Sequence, residues 1–113
     1  MNVASPQFFS ANLLALLLSV NSAALAQSEP TALVNQQHCM FCHTRDAPFL
    51  GPSFQQIAER YRNVRGAQVM LEHKLRVGGQ AHWGDTAMPL PPDRGGPLTR
   101  QDARVLIRWV LSQ

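Results

Sequence analysis

Cysteine is scarce in these 113 residues: there are two, Cys39 and Cys42, with two residues between them. So few leave no room for the disulfide framework that staples many small exported domains. A single bridge across so short a loop would remove little chain entropy. Charge is scarce too. Ten Lys and Arg stand against seven Asp and Glu, a net charge of +3, far too weak a field for nucleic-acid binding. No convincing strand pattern appears, so a C-x-x-C pair lacks the βαβ setting that a thioredoxin-like redox motif needs. Paired metal motifs are missing as well. His38, His73 and His82 are isolated, and a zinc site would need more ligands at metal spacing.

The first 26 residues contain no charged side chain at all. Within them Ala11 to Val20 form an apolar run, and Ala24-Leu25-Ala26 is a small-x-small cleavage pattern followed by polar Gln27-Ser28-Glu29-Pro30. This is the layout of a secretory signal peptide, although the usual Lys or Arg before the apolar run is absent. The rival is a retained anchor, but a spanning helix needs roughly 20 mostly apolar residues, and Asn12, Asn21 and several Ser and Ala weaken that reading. Two domains of unequal kind are expected: 1–26 as a leader and 27–113 as the mature domain. Cleavage after Ala26 leaves 87 residues, a length at which folded chains often depend on a staple.

What the chain does have is Cys39-Met40-Phe41-Cys42-His43. C-x-x-C-H is the pattern for covalent haem attachment. The cysteines can present both sulfurs to the vinyl groups on one haem edge. The following His43 can then serve as proximal iron ligand. One haem c, held through Cys39 and Cys42, is the expected cofactor, and a large apolar staple for so short a domain. A thiol redox or metal module without haem is the rival.

The remaining pattern is helical. Thr31 is expected to cap a first helix reaching about His38–Phe41, with Leu33 and Val34 facing the core. Ser53 and Gln56 make a capping box, and Phe54, Ile57, Ala58 and Tyr61 follow at i, i+3, i+4 and i+7. Arg60, Arg62 and Arg65 gather near that helix's end, where positive charge complements the dipole. A third helix spans about Ala67 to Val77 and stops at Gly78-Gly79. Gln80 to Leu98 is dense in Gly and Pro and predicts a loop without regular structure, of a length that is generally functional. Thr99 and Asp102 open a last helix with Val105, Leu106, Trp109 and Val110 on one face. Arg100, Arg104 and Arg108 form another, which reads equally as a steering patch for an acidic partner or as a solvated face. The fold class is all-α, about four helices around one haem.

The ligand opposite His43 decides the chemistry. Met1 lies in the leader and Met40 between the cysteines. Met70, beside Leu71 on the third helix, reads as core filling. Met88 lies in the long loop, 45 residues after His43, with Pro89 next to it. His82, in the same loop, is the rival. His73 is expected on the solvent side of the third helix. A methionine thioether opposite an imidazole would raise the potential relative to two imidazoles.

The stretch His38 to His43, Gly51-Pro52 with Phe54, Gly78-Gly79-Gln80-x-x-Trp83-Gly84, Met88-Pro89 and Trp109 to Gln113 together resemble the small bacterial class I cytochromes c across essentially the whole mature chain. The resemblance implies that fold, with His43 and Met88 as the axial ligands. It implies that the Pro52 carbonyl accepts a hydrogen bond from the proximal imidazole. It further implies that Trp83 donates to a haem propionate, with Lys74 as the nearest match for a basic helper. Asp85-Thr86-Ala87 departs from the family, whose members commonly carry more apolar and proline residues there.

The expected function is a periplasmic electron carrier, not an enzyme, with donor and acceptor redox proteins that dock transiently. No nucleic acid and no stable membrane insertion after cleavage are expected. The alternative is the haem-bearing subunit of a larger periplasmic oxidoreductase.

Overall fold

The computed structural model describes Met1 and residues 27–113. The expected leader therefore lies outside the described residues, Met1 apart. Among the described residues five helices follow one another: α1 (Thr31–Gln36), α2 (Phe54–Tyr61), α3 (Ala67–Val77), α4 (Pro91–Arg94) and α5 (Arg100–Leu111), with a 3-10 turn at Cys39–Phe41 between α1 and α2. Among the described residues there is no strand, and no helix is long and apolar enough to cross a membrane. The all-α expectation holds.

Local chemistry accounts for most of the boundaries. Ser53 Oγ accepts from the Gln56 backbone N–H at 3.1 Å, and Gln56 Oε1 accepts from the Ser53 N–H at 2.8 Å, which completes the capping box of α2. Thr99 Oγ1 likewise accepts from the Asp102 N–H at 3.0 Å and starts α5. At the end of α3, Gly78 takes φ +71, a left-handed value that suits glycine.

Three expectations about the helices need correction. Thr31 is the first residue of α1 and not its cap; Pro30 precedes it, and Thr31 Oγ1 turns back toward the Glu29 carbonyl. The first helix also stops at Gln36, because His38 adopts φ 50 and breaks it before the cysteine pair. Within the long loop, α4 forms where no regular element was expected. Its Pro91 and Pro92 occupy the first helical positions, where a missing N–H costs nothing and the fixed φ is already helical.

The core lies where α2, α3 and α1 pack on α5. It contains Val34, Phe54, Leu98, Ala103, Leu106, Trp109 and Val110, with Leu33, Ile57 and Leu75 packed against it. On α5, Ala103 and Ile107 join the expected apolar face, and Val105 sits half-buried at its margin. Arg100, Arg104 and Arg108 are all exposed. Met70 is 37% exposed and does not fill the core. Ala67 and Leu71 take the buried side of α3, which leaves Met70 on the flank shared with His73 and Lys74, three and four residues on. His73 is exposed, as expected.

Candidate haem site

The cysteine pair and the histidine share one turn. The His43 N–H donates to the Cys39 carbonyl at 3.0 Å, and the Cys42 N–H reaches the same carbonyl at 3.3 Å. Residues at i, i+3 and i+4 of such a turn lie on one side of it. Cys39, Cys42 and His43 are therefore offered together, and this is the physical content of the C-x-x-C-H spacing. Both cysteines are free and half-buried. Burial pushes the Cys39 thiol above its ordinary value, with the Arg94 charge pulling partly the other way.

His43 is fixed from two directions. Its Nδ1 lies 2.7 Å from the Pro52 carbonyl oxygen. A carbonyl can only accept, so Nδ1 carries the proton, and in the neutral ring Nε2 is the atom with a lone pair for a metal. The imidazole also stacks on Phe54 at 5.5 Å between centroids, and Phe54 in turn meets the edge of Trp109 at 4.8 Å. The buried core thus reaches the histidine through one aromatic ring. Pro52 is placed by a tight return of the chain. The Gly51 N–H donates to the Cys42 carbonyl at 2.9 Å, and the Phe54 N–H donates to Thr44 at 2.9 Å. A Cβ on Gly51 would lie 2.9 Å from His43 Cε1, so only glycine admits the ring this closely.

The loop residues are arranged less directly. Met88 lies in an irregular, exposed stretch and is itself 37% exposed. Trp83 is half-buried with the Arg60 guanidinium 4.4 Å over its ring. Lys74 donates to the Gln80 carbonyl and lines an open cavity of about 220 Å³ with Met70, His73, Gly79 and His82. His82 is exposed, and its Nδ1 pairs with the Tyr61 hydroxyl at 3.1 Å. That bond draws the rival ligand toward the end of α2.

Two residues with structural consequence escaped the sequence reading. Gln37 is 1% exposed, and its Nε2 donates to the Gly96 carbonyl at 3.2 Å. Arg94 donates to the Gln37 side chain and to the Leu75 and Pro89 carbonyls. Burial pulls the Arg94 guanidinium below its ordinary value.

Comparison with known proteins decides the family. Cytochrome c-551 of Stutzerimonas stutzeri is 36% identical over 89 residues, covering 79% of this chain and 80% of the relative. The chain belongs to the small bacterial class I cytochromes c. The crystal structure of wild-type Nitrosomonas europaea cytochrome c552 matches with a TM-score of 0.63 and 27% identity, covering 73% of this chain and 96% of that one. The class 1 cytochrome MtoD of Sideroxydans lithotrophicus ES-1, 24% identical with a TM-score of 0.58 over 73% of this chain and 89% of its own, shares the fold. No family model matches. The protein is thus a small haem electron-transfer protein that works with redox partners, and it is not an enzyme.

The residues present fit a haem. Among the described residues no group of three or more His, Cys, Asp or Glu could hold a metal ion by itself. A porphyrin supplies four nitrogens, so the protein need add only axial donors, and His43 Nε2 is one such donor. Phe41, Phe49 and Leu50, on the segments beside the cysteine pair, are 69%, 64% and 68% exposed. Apolar area of that size is what a large apolar group would cover.

Proposed function

We propose that residues 27–113 are a periplasmic electron carrier with one haem c, bound through Cys39 and Cys42 and ligated by His43 and Met88. The leader 1–26 would direct export and then be removed. The observation that carries the reading is the 2.7 Å bond from His43 Nδ1 to the Pro52 carbonyl on the same turn that presents both free thiols. It selects the imidazole tautomer and leaves Nε2 as a neutral ligand. Cys39 and Cys42 would each hold the haem through one thioether, and addition of S–H across a vinyl group would need no oxidant or reductant.

Bound haem supplies the iron that exchanges single electrons between Fe(II) and Fe(III). The chain's own residues fix the rest. Phe54 and Pro52 hold the His43 ring in one orientation, ready to serve as a donor without rearranging. Met88 would supply the second protein donor and so compete with small ligands. A soft thioether favours Fe(II) and keeps the potential high. Lys74 and Trp83 are assigned to a propionate. Lys74 borders the open cavity beside Gly79, and Trp83 lies under the Arg60 guanidinium in a separate pocket. The exposed arginines of α5 leave a surface suited to brief docking.

A denaturing gel stained for haem peroxidase activity, run on protein matured in an export-competent host, tests attachment. A stained band at the mature mass is expected, and its absence overturns the proposal. Gel filtration of native extract tests the free carrier. Elution as a small protein is expected; stable co-elution with a large catalytic protein would instead identify an oxidoreductase subunit.

A further inference from the structure

The Met88 segment has no ladder or helix of its own: Thr86 to Leu90 are irregular and exposed. Something outside it must keep Met88 in one place. Arg94 is the residue in position to do so. Its Nε donates to the Pro89 carbonyl at 3.0 Å, one residue from Met88. Its Nη2 donates at 2.8 Å to Leu75, a carbonyl in the last turn of α3 that has no partner within the helix. Its Nη1 donates to Gln37 Oε1. Gln37, two residues before Cys39, completes a ring through the Gly96 carbonyl at 3.2 Å.

Glycines let this assembly close. A Cβ on Gly95 would sit 1.8 Å from the Gln36 carbonyl oxygen, so the turn after α4 rests directly on the end of α1. A Cβ on Gly78 would meet Leu90 Cδ2 at 2.6 Å, so the Met88 segment also lies against the end of α3. The planar guanidinium then joins three separate segments in one fixed fork, which a lysine could not reproduce.

We propose that Arg94, held by Gln37, is a positioning residue that clamps the Met88 segment to the attachment side and so controls how often Met88 leaves the iron. The proposal rests on Met88 being the axial ligand. Exchange of a protein ligand for an added one follows the population of the open state. Loss of hydrogen bonds from a charged group should raise that population about tenfold or more.

The test uses the ferric holoprotein. First, the wild type should show a sulfur-to-iron(III) charge-transfer band; its absence would overturn the ligand reading itself, whatever Arg94 does. Second, imidazole binding is titrated in the wild type, Arg94→Met, Arg94→Lys and Gln37→Met. Arg94→Met should bind imidazole about tenfold more tightly or better, with Arg94→Lys and Gln37→Met in between. Third, Arg94→Met is repeated in a Met88→Ala background, where its effect on imidazole affinity should vanish. A merely structural arginine would weaken both backgrounds alike. If the charge-transfer band is present and imidazole affinity is unchanged in Arg94→Met, the clamp is refuted. Should Arg94→Met give no holoprotein, unchanged affinity in both Arg94→Lys and Gln37→Met refutes it equally.

Discussion

The two sides of the site are built on different terms. From Cys39 to Phe54 the chain positions its own functional groups: one turn aligns the thiols and imidazole, and the next loop returns Pro52 to the same imidazole 2.7 Å away. From Gln80 to Leu90 the chain positions almost nothing by itself. Its methionine depends on bonds from Arg94, which is anchored on α3 and beside the cysteine pair. The contrast suits an electron carrier. With His43 and Met88 as the proposed axial ligands, a braced imidazole would keep reorganisation small, whereas the methionine would need only to stay in place more often than water or a small base can displace it. Local stability is accordingly expected to be uneven, high around His43 and lower around Met88.

Substitutions can separate the sides, the most damaging first. Cys42→Ala or His43→Ala removes a proposed attachment or ligand group from the self-positioned side. No stable holoprotein is expected, measured as loss of haem stain per mole of chain, because a bound group that stabilises only the folded state is lost with it. Trp109→Ala strikes the brace behind the same side. Trp109 is 3% exposed and meets Phe54 edge-on, so its truncation should cost about 3–5 kcal/mol in denaturant unfolding of the holoprotein. Met88→Ala confines the damage to the other side. Haem should remain attached while the ferrous protein gains stoichiometric CO binding and its midpoint potential falls. A variant that refuses CO and keeps its potential would remove Met88 from the ligand set. Ser53→Ala breaks only the cap of α2 and should cost about 1 kcal/mol with the spectrum unchanged.

The same contrast explains what the sequence could and could not disclose. Cys39, Cys42, His43 and Pro52 lie within a dozen or so residues of one another, so spacing and family resemblance were enough to group them as one expected site, and the structure brings them together. Capping at Ser53 and Thr99 was legible because a cap is a bond three residues long. Arg94 and Gln37 were not legible. An arginine among prolines and glycines looks solvated, and its bond to Gln37 spans 57 residues. The short helix α4 was hidden by the two prolines that initiate it, since proline density reads as loop. Met70 misled for a different reason. Its neighbour Leu71 is buried, but one residue's rotation about α3 carries Met70 to the exposed flank.

The central claim is a haem c held between His43 and Met88. It is tested most directly by the absorption spectrum of the purified holoprotein in both redox states. Ligation by His43 and Met88 predicts a ferrous spectrum of thioether-linked, six-coordinate low-spin haem and, on oxidation, a sulfur-to-iron(III) charge-transfer band that disappears in Met88→Ala. A high-spin spectrum, or a bis-imidazole spectrum unaltered by that substitution, would contradict it.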